Sequence, residues 1–159
     1  MKLTVIALGT LSERTFADAF EEYRKRLSAS GTFSLIELKE SKLPKEPSAA
    51  QIAAGLRTEA DAILSRIPPR AYVIAMAIEG KMLSSEALSD LLDRRMSAGA
   101  GEFVFVVGSS YGLDPSVKAR ADMLLSMSPM TFPHQLARVM LAEQLYRCTQ
   151  ILSGGKYHK

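Results

Sequence analysis

Residues 103–112 of the chain read FVFVVGSSYG. The first five are all apolar and three of them are valine, which predicts a strand covered on both faces of a sheet. The other five form a loop with glycine at each end. Open α/β sheets bind ligands at the carboxyl ends of such strands, and glycine permits close backbone approach. The stretch therefore predicts an α/β fold with a candidate ligand site at residues 108–112, although a plain tight turn needs the same glycines.

The rest of the chain alternates between β-type runs and helical patterns. Strands are predicted at residues 3–8, 33–38, 72–77, 103–107 and 123–127, and helices at residues 13–28, 48–67, 84–97, a short stretch after Pro115, and 133–152. Such alternation indicates a mostly parallel sheet flanked by helices on both faces. We therefore predict one domain over residues 1–159.

Several polar residues and prolines predict where the helices begin and end. Ser12 is a possible cap of the first helix, and Ser48 with Gln51 three residues on has the pattern of a capping box. Pro68 and Pro69 end the second helix because proline cannot continue it. The last helix has Pro133 in its first turn, where proline is tolerated.

The composition is typical of a globular domain and excludes several kinds of protein. Of the 159 residues, 47% are apolar and 23% charged, which is typical of a globular domain, and the net charge of +3 permits a local anion-binding patch. Cys148 is the single cysteine, so one chain can build neither a disulfide nor a cysteine-based zinc site, and we expect the thiol to be buried. The apolar run at residues 3–8 is too short for a signal segment or a membrane span. We expect a cytoplasmic protein with no metal and no membrane partner.

The last predicted helix is apolar on nearly all sides, which predicts burial on most of its surface. A twofold homodimer is the simplest way to bury such a helix in a small domain, and a central core helix in a monomer is the alternative. The apolar positions are Leu136, Val139, Met140, Leu141, Leu145, Tyr146, Ile151 and Leu152.

The loop at residues 108–112 also matches G-x-S-x-G, the pattern of a serine-hydrolase elbow. Ser110 would be the nucleophile, followed in hydrolase order by Asp114 or Asp122 and by His134 or His158. The chain is short for that fold, lacks an HGGG-type oxyanion loop, and has no strong helix directly after the elbow. The dinucleotide and P-loop phosphate motifs are absent. A flavodoxin-like small-ligand protein is a further alternative.

The C-terminal third carries both histidines. His134 begins the last helix, where a hydrogen-bonding role is an ordinary alternative to catalysis. Tyr157, His158 and Lys159 offer a stacking surface, a titratable group and a phosphate partner, a combination that suits a nucleotide. A disordered tail is the plainer interpretation of these three residues.

Over essentially its whole length, the chain resembles the RlmH family of SPOUT methyltransferases. The most specific match is the C-terminal motif at residues 130–138, 143–147 and 157–159, and earlier matches lie at residues 22–27, 72–75 and 80–86. The resemblance implies a trefoil knot in the C-terminal part, a homodimer, and S-adenosylmethionine bound in the knot loops. The cofactor residues it implies are Met76, Gly108, Met127, Ser128, Pro129, Met130, Thr131 and Phe132.

The implied reaction is methylation of N3 of pseudouridine 1915 in 23S ribosomal RNA, within the assembled ribosome. His158 is the leading candidate for the base that removes the N3 proton, and His134 is the second. Arg147 and Lys159 are expected to stabilise the anion or hold phosphate, and Tyr157 to orient the base. The expected RNA contacts are Arg138, Lys156 and Lys159. A non-catalytic ribosome- or RNA-binding factor of the same fold is the alternative function.

The chain departs from the family pattern at four positions. Ser109 stands where the family usually has a second glycine, and Ala77 where it usually has an acidic residue. The family's lysine after the first strand is Thr10 here, and the usual proline of the tail is Lys156. The first two departures bear on cofactor contacts, and we expect the Ser109 side chain to crowd the loop.

Overall fold

Strands and helices alternate throughout the computed structural model, which describes residues 1–155 and 157. The strands are β1 (Lys2–Leu8), β2 (Thr32–Leu38), β3 (Tyr72–Met82), β4 (Glu102–Val107) and β5 (Met123–Ser126). The helices are α1 (Arg14–Ser30), α2 (Ala49–Leu64), α3 (Ser85–Ser97), α4 (Pro115–Arg120) and α5 (His134–Leu152). Each element predicted from the sequence is present, and the differences lie at the ends.

The five strands form one sheet in the order β2-β1-β4-β3-β5, and each pairing between them is parallel. The apolar run that predicted a doubly covered strand is β4, which lies at the centre between β1 and β3. Alternate β4 side chains enter different cores, since Phe105 packs on one face of the sheet and Val106 on the other. The predicted α/β fold with a parallel sheet is therefore confirmed.

Helices cover both faces of the sheet. The face that contains Phe105 packs against Leu27 of α1, Leu92 of α3 and Leu145 of α5. The opposite face packs against Ile63 of α2 and Val117 of α4, and both are almost fully buried. The carboxyl ends of β3, β4 and β5 lie at one edge of this parallel sheet, which is where open α/β folds bind ligands.

Strand β3 is longer than its apolar run predicted. It reaches Met82, but its pairing with β5 shifts, so that Leu125 is the partner of both Met76 and Lys81. The residues between leave the ladder as a bulge, which re-aims side chains at a strand end. Gly80 is required there, because a Cβ atom on it would lie 2.6 Å from the backbone carbon of Leu124. The bulge starts at Ala77, one of the positions that departs from the family pattern.

The predicted capping box of α2 is confirmed, because the Ser48 side chain accepts the backbone N–H of Gln51 and the Gln51 side chain accepts that of Ser48. The prediction that Ser12 caps α1 is wrong. The cap residue is Glu13, and its side chain makes no capping bond. The Gln135 side chain of α5 instead accepts the Glu13 N–H at 3.1 Å and donates to the Ser12 hydroxyl at 3.0 Å. Contact with another helix thus replaces a local cap.

Cys148 is fully buried in α5, as predicted. Burial raises the pKa of its thiol to about 12, so the reactive thiolate is scarce near neutral pH. No helix within the described residues combines the length and the apolar character needed to cross a membrane. The trefoil knot and the homodimer stay predictions.

Candidate active site

A cavity of about 750 Å³ opens where β3, β4 and β5 end. Three segments form its walls: the β3 bulge, the loop after β4, and the long loop between β5 and α5. Its size lies within the range of small-molecule sites, and its place in the sheet is the one that open α/β folds use. The lining residues are Met76, Ala77, Ile78, Glu79, Val107, Gly108, Ser109, Ser110, Tyr111, Gly112, Leu113, Lys118, Leu125, Ser126, Met127, Ser128, Met130, Thr131, Phe132, Pro133, His134 and Ala137.

The loop after β4 folds back on itself as a tight turn. The Gly112 N–H donates to the Ser109 carbonyl at 2.9 Å, and Gly112 has a φ of 87°, which favours glycine. A Cβ atom on Gly108 would lie 2.3 Å from the Gly112 carbonyl oxygen. Both glycines are therefore required by the turn itself, and the turn presents its backbone to the cavity.

The loop between β5 and α5 is held by serine hydroxyls. The Ser126 hydroxyl donates to the Ser128 carbonyl at 3.0 Å, and the Ser128 hydroxyl accepts the Met130 N–H at 3.0 Å. Met130 is 71% exposed although it is a large apolar residue. An exposed apolar side chain beside a cavity is typical of a binding surface.

The structure brings most of the predicted cofactor residues together. The members on the cavity wall are Met76, Gly108, Met127, Ser128, Met130, Thr131 and Phe132. Pro129 lies in the same loop but outside the wall. The sequence analysis connected Ala77 with cofactor contacts, but it did not predict the contribution of Ile78, Glu79 or Lys118. Gly80, which follows the apolar run 72–78 after one further residue, was the signal that could have indicated a bulge there.

Two opposite charges lie on the cavity wall. The Lys118 ammonium of α4 pairs with the Glu79 carboxylate of the bulge. Its hydrogen bond holds the pKa of Glu79 below the usual range, so this carboxylate is ionised at neutral pH. The cavity thus offers a carboxylate and an ammonium to a ligand.

His134, the first residue of α5, also lies on the wall. Its surroundings include the turn after β1: a Cβ atom on Gly9 would lie 4.0 Å from His134 Nε2 and 3.4 Å from Glu40 Oε2. The second predicted base is therefore at the cavity, beside the predicted cofactor residues.

These features describe an apolar cavity with a tight glycine turn, a bulged strand and a histidine at a helix start. The family model described as "Predicted SPOUT methyltransferase" matches residues 1–158. The chain belongs to the SPOUT methyltransferase family. RlmH is the family that carries this model's name, so the resemblance seen in the sequence is confirmed. SPOUT enzymes generally take their methyl group from S-adenosylmethionine, and the match supports RNA methylation as the general activity.

Arg138 of this SPOUT enzyme was predicted to contact RNA, but it lies inside the domain. Arg138 is only 1% exposed. Its guanidinium donates to Glu37 Oε1 at 2.6 Å and to the carbonyls of Leu8 and Gly9 at 2.8 and 3.1 Å. Burial lowers the pKa of this guanidinium, and the Glu37 carboxylate opposes that effect. Because the side chain is enclosed, it ties α5 to β1 and β2, and the predicted RNA contact is wrong.

Arg147 and Tyr157 lie at the other end of α5. Arg147 Nε donates to Glu143 Oε1 at 3.1 Å, and its guanidinium lies 4.9 Å from the centre of the Tyr157 ring. The Tyr157 hydroxyl donates to the same Glu143 oxygen at 3.3 Å. His134 and Arg147 are 13 residues apart, which is about 20 Å along a helix. One chain therefore does not bring these two predicted catalytic residues together.

Further aromatic rings pack around Arg147 and Tyr157. We call this set the tyrosine cluster, and its members are Tyr23, Tyr146, Tyr157, Arg26 and Arg147. Tyr146 packs edge-on against Tyr157 at 4.8 Å and lies 6.4 Å from Tyr23. Burial, together with Tyr23 and Glu143, raises the pKa of Tyr157 to about 12. Its phenol is therefore neutral near pH 7, which suits stacking on a base or orienting it.

The remaining predictions concern the tail and the alternatives. His158, Lys156 and Lys159 lie outside the described residues. Among the described residues, the Ser110 hydroxyl has no hydrogen-bond partner, Asp114 caps α4, and Asp122 binds the Val73 N–H. The geometry of a serine hydrolase is thus not assembled in the described part of the chain. Residues 1–155 and 157 contain no group of three potential metal ligands.

Proposed function

We propose that this SPOUT protein transfers the methyl group of S-adenosylmethionine to N3 of a pseudouridine in 23S ribosomal RNA. The observation that carries the proposal is the cavity at the ends of β3, β4 and β5, which gathers the residues of the RlmH-like motif around His134. The family match over residues 1–158 supports the methyltransferase activity. The resemblance of the C-terminal motif supports the particular nucleoside.

The chemical character of the cavity residues fits S-adenosylmethionine. Met76, Met127 and Phe132 are apolar and suit an adenine ring, and the turn at residues 108–112 offers backbone groups to its polar edge. The methionine end of the cofactor carries an ammonium and a carboxylate, which match Glu79 and Lys118 in charge. When bound, the cofactor supplies a methyl carbon activated by its positively charged sulfur. The residues on the wall hold it and exclude water.

Transfer to N3 requires removal of a proton whose pKa lies above neutrality. His134 can accept a proton at the cavity, and His158 is the leading candidate by resemblance. His158→Ala should lower turnover more than cofactor affinity, and His134→Ala is the matched variant. Unchanged turnover in His158→Ala would leave His134 as the base. Unchanged turnover in both variants would exclude both as the base.

We further propose a homodimer in which the tyrosine cluster of one subunit completes the cavity of the other. Arg147 is about 20 Å from His134 along one helix, so it reaches a cavity more readily in a second copy. Apolar α5 residues such as Leu136, Val139 and Met140 are only partly buried within one chain. A self-complementary twofold interface would bury them.

The proposed substrate is 23S RNA within the assembled ribosome in the cytoplasm. A chain with a net charge of +3 has little surface for reading sequence, so recognition of an assembled shape is favoured. Lys156 and Lys159 are proposed phosphate contacts. Binding should weaken with salt, because each phosphate contact releases counterions.

The test is methyl transfer from labelled S-adenosylmethionine to ribosomes from cells that lack this modification. Protein-free 23S RNA from the same cells is the parallel substrate. Label in the RNA of assembled ribosomes, mapped to N3 of a pseudouridine, is the expected result. If cofactor binding is confirmed but neither substrate is labelled, the proposed reaction is wrong, and a non-catalytic binding factor becomes the better interpretation.

A further inference from the structure

We propose that the Ser109–Glu59 hydrogen bond is a tether that holds the turn at residues 108–112 in its cofactor-binding position. This makes Ser109 and Glu59 positioning residues, and the inference rests on the proposed function of the cavity. No family pattern suggests it, since the family usually has glycine where this chain has Ser109. The expectation that Ser109 crowds the loop is thereby replaced.

The tether is a buried contact between two elements. Ser109 is 8% exposed and Glu59, on α2, is 4% exposed. The Ser109 hydroxyl donates to Glu59 Oε2 at 3.0 Å. Because Glu59 is not on the wall of the large cavity, the hydroxyl is engaged behind the turn, away from a ligand.

The other carboxylate oxygen of Glu59 also accepts a hydrogen bond. This oxygen, Oε1, accepts the Ser41 N–H at 2.7 Å, and the Ser41 hydroxyl donates to the Gly55 carbonyl at 2.8 Å. Gly55 lets this segment approach α2 closely, since a Cβ atom on it would lie 3.2 Å from the Ser41 Cβ. The carboxylate therefore has a fixed position and joins the segment after β2 to the turn after β4.

No cation pairs with Glu59 among the described residues, so its carboxyl oxygens depend on these hydrogen bonds. A buried carboxylate without a counter-ion depends strongly on each donor it has. The Ser109 hydroxyl and the Glu59 carboxylate consequently stabilise each other's position.

Packing alone does not hold the turn. A second cavity of about 200 Å³ lies behind it, and Ser109, Ser110 and Tyr111 line both cavities. A turn with space on each side can shift into the smaller cavity, and a hydrogen bond to a fixed carboxylate prevents this. The fraction of molecules that can bind the cofactor then depends on the tether, because apparent affinity scales with that fraction.

The experiment measures binding of S-adenosylhomocysteine by calorimetry and hydrogen exchange of the turn amides in the folded protein. Ser109→Ala should weaken binding about tenfold, the effect of one hydrogen bond to a charged group, and speed exchange of the Gly112 amide. Ser109→Thr keeps a hydroxyl and should restore both. In turnover assays, KM for S-adenosylmethionine should rise while kcat changes little.

Glu59→Gln should weaken binding in the same way, and adding Ser109→Ala to it should cost no more than about twofold further. Asp61→Asn on the same helix is the matched control, since that carboxylate is exposed and, within the described part of the chain, pairs only with Arg57 at 3.7 Å. If Glu59→Gln fails to fold, the comparison of Ser109→Ala with Ser109→Thr still tests the tether.

Three results would overturn the tether. The first is that Ser109→Ala keeps the wild-type affinity for S-adenosylhomocysteine and the wild-type exchange rate of the Gly112 amide. The second is that Ser109→Thr fails to restore these two values. The third is that the losses of affinity in the Glu59→Gln, Ser109→Ala double variant multiply fully. A wild-type protein that does not bind S-adenosylhomocysteine would contradict the proposed function instead. In that case the exchange of the Gly112 amide in the two Ser109 variants still tests the tether.

Discussion

The two ends of α5 differ in what surrounds them. At its start, His134 lies on a cavity of about 750 Å³ that three segments of the same chain complete. At its far end, Arg147 and the tyrosine cluster lie on the surface of α1 and α5, packed against one another. One end lines a cavity, whereas the other is a packed set of rings and cations.

This difference indicates a division of labour. The cavity end, where we propose that the cofactor binds, is built from a glycine turn, a bulge and a serine-held loop of one chain. Under the proposed function, the far end would supply cations and rings, which suit an RNA base and phosphate. Because about 20 Å of helix separates the two ends, the proposed site would combine the cavity of one copy of the chain with the tyrosine cluster of another. The following substitutions separate the two ends, from the largest expected effect to the smallest.

The largest effect is expected at the cofactor end. Gly108→Ala places a Cβ atom 2.3 Å from the Gly112 carbonyl, so the turn must rearrange. Affinity for S-adenosylhomocysteine should fall about a hundredfold or more, which corresponds to about 3 kcal/mol. Calorimetry measures this directly. Gly101→Ala is the control, since a Cβ atom there meets no atom within 4 Å. Normal binding by Gly108→Ala would show that the turn does not form the site.

Arg138 lies between the two ends, and its loss should affect stability. Arg138→Ala removes a buried guanidinium that pairs with Glu37, at a cost of about 3 kcal/mol. The melting temperature should fall by roughly 6–12 °C for a chain of this size. Arg14→Ala is the control, because that side chain is 94% exposed. An unchanged melting temperature in Arg138→Ala would show that the buried Arg138–Glu37 pair does not stabilise the fold.

A smaller effect is expected at the far end, and on a different quantity. Arg147→Ala should lower turnover on ribosomes about ten- to a hundredfold, since it removes a cation that stabilises an anion. Affinity for S-adenosylhomocysteine should stay within about twofold, because the residue is remote from the cavity of its own chain. Arg70→Ala, at an exposed position, is the control. A parallel loss of cofactor affinity would contradict the separation of the two ends.

The smallest effect concerns pH. The pKa of Tyr157 is raised to about 12 in the folded protein, against an ordinary value of 10. The neutral phenol therefore contributes stability that is fully present below pH 10 and is lost as pH rises to 12. The unfolding free energy of Tyr157→Phe should fall less over this range than that of the wild type. Tyr111→Phe, whose ring is 47% exposed, should behave like the wild type.

The sequence predicted the elements of the fold well because its signals were local. The apolar β4 run, the Ser48 capping box and the prolines after α2 each act within a few residues, and the structure confirms them. The end of α2 at Leu64 precedes the predicted end, since the chain already turns before Pro68. The cap of α1 was predicted wrongly because its partner, Gln135, is 122 positions from Glu13.

In the candidate site too, the features set by local sequence could be predicted, whereas those set by distant residues could not. The predicted cofactor residues 127–132 are contiguous in the motif, and all of them except Pro129 lie on the cavity wall. The bulge at residues 77–80 depends on a register shift against β5, which no local pattern shows. Arg138 was misassigned because an arginine in a conspicuous motif gives no sign of burial. The partner of Ser109 could not be predicted either, because Glu59 is 50 positions away.

The central claim is that one working site combines the cavity of one chain with the tyrosine cluster of another. The most direct test mixes Gly108→Ala with Arg147→Ala under conditions that allow subunit exchange, and measures methyl transfer to ribosomes. Each mixed dimer then holds one intact cavity beside one intact cluster from the other chain. Activity should rise to roughly a quarter of the wild-type level, because random exchange gives half mixed dimers with one good site each. Activity no greater than the sum of the separate variants would contradict the claim.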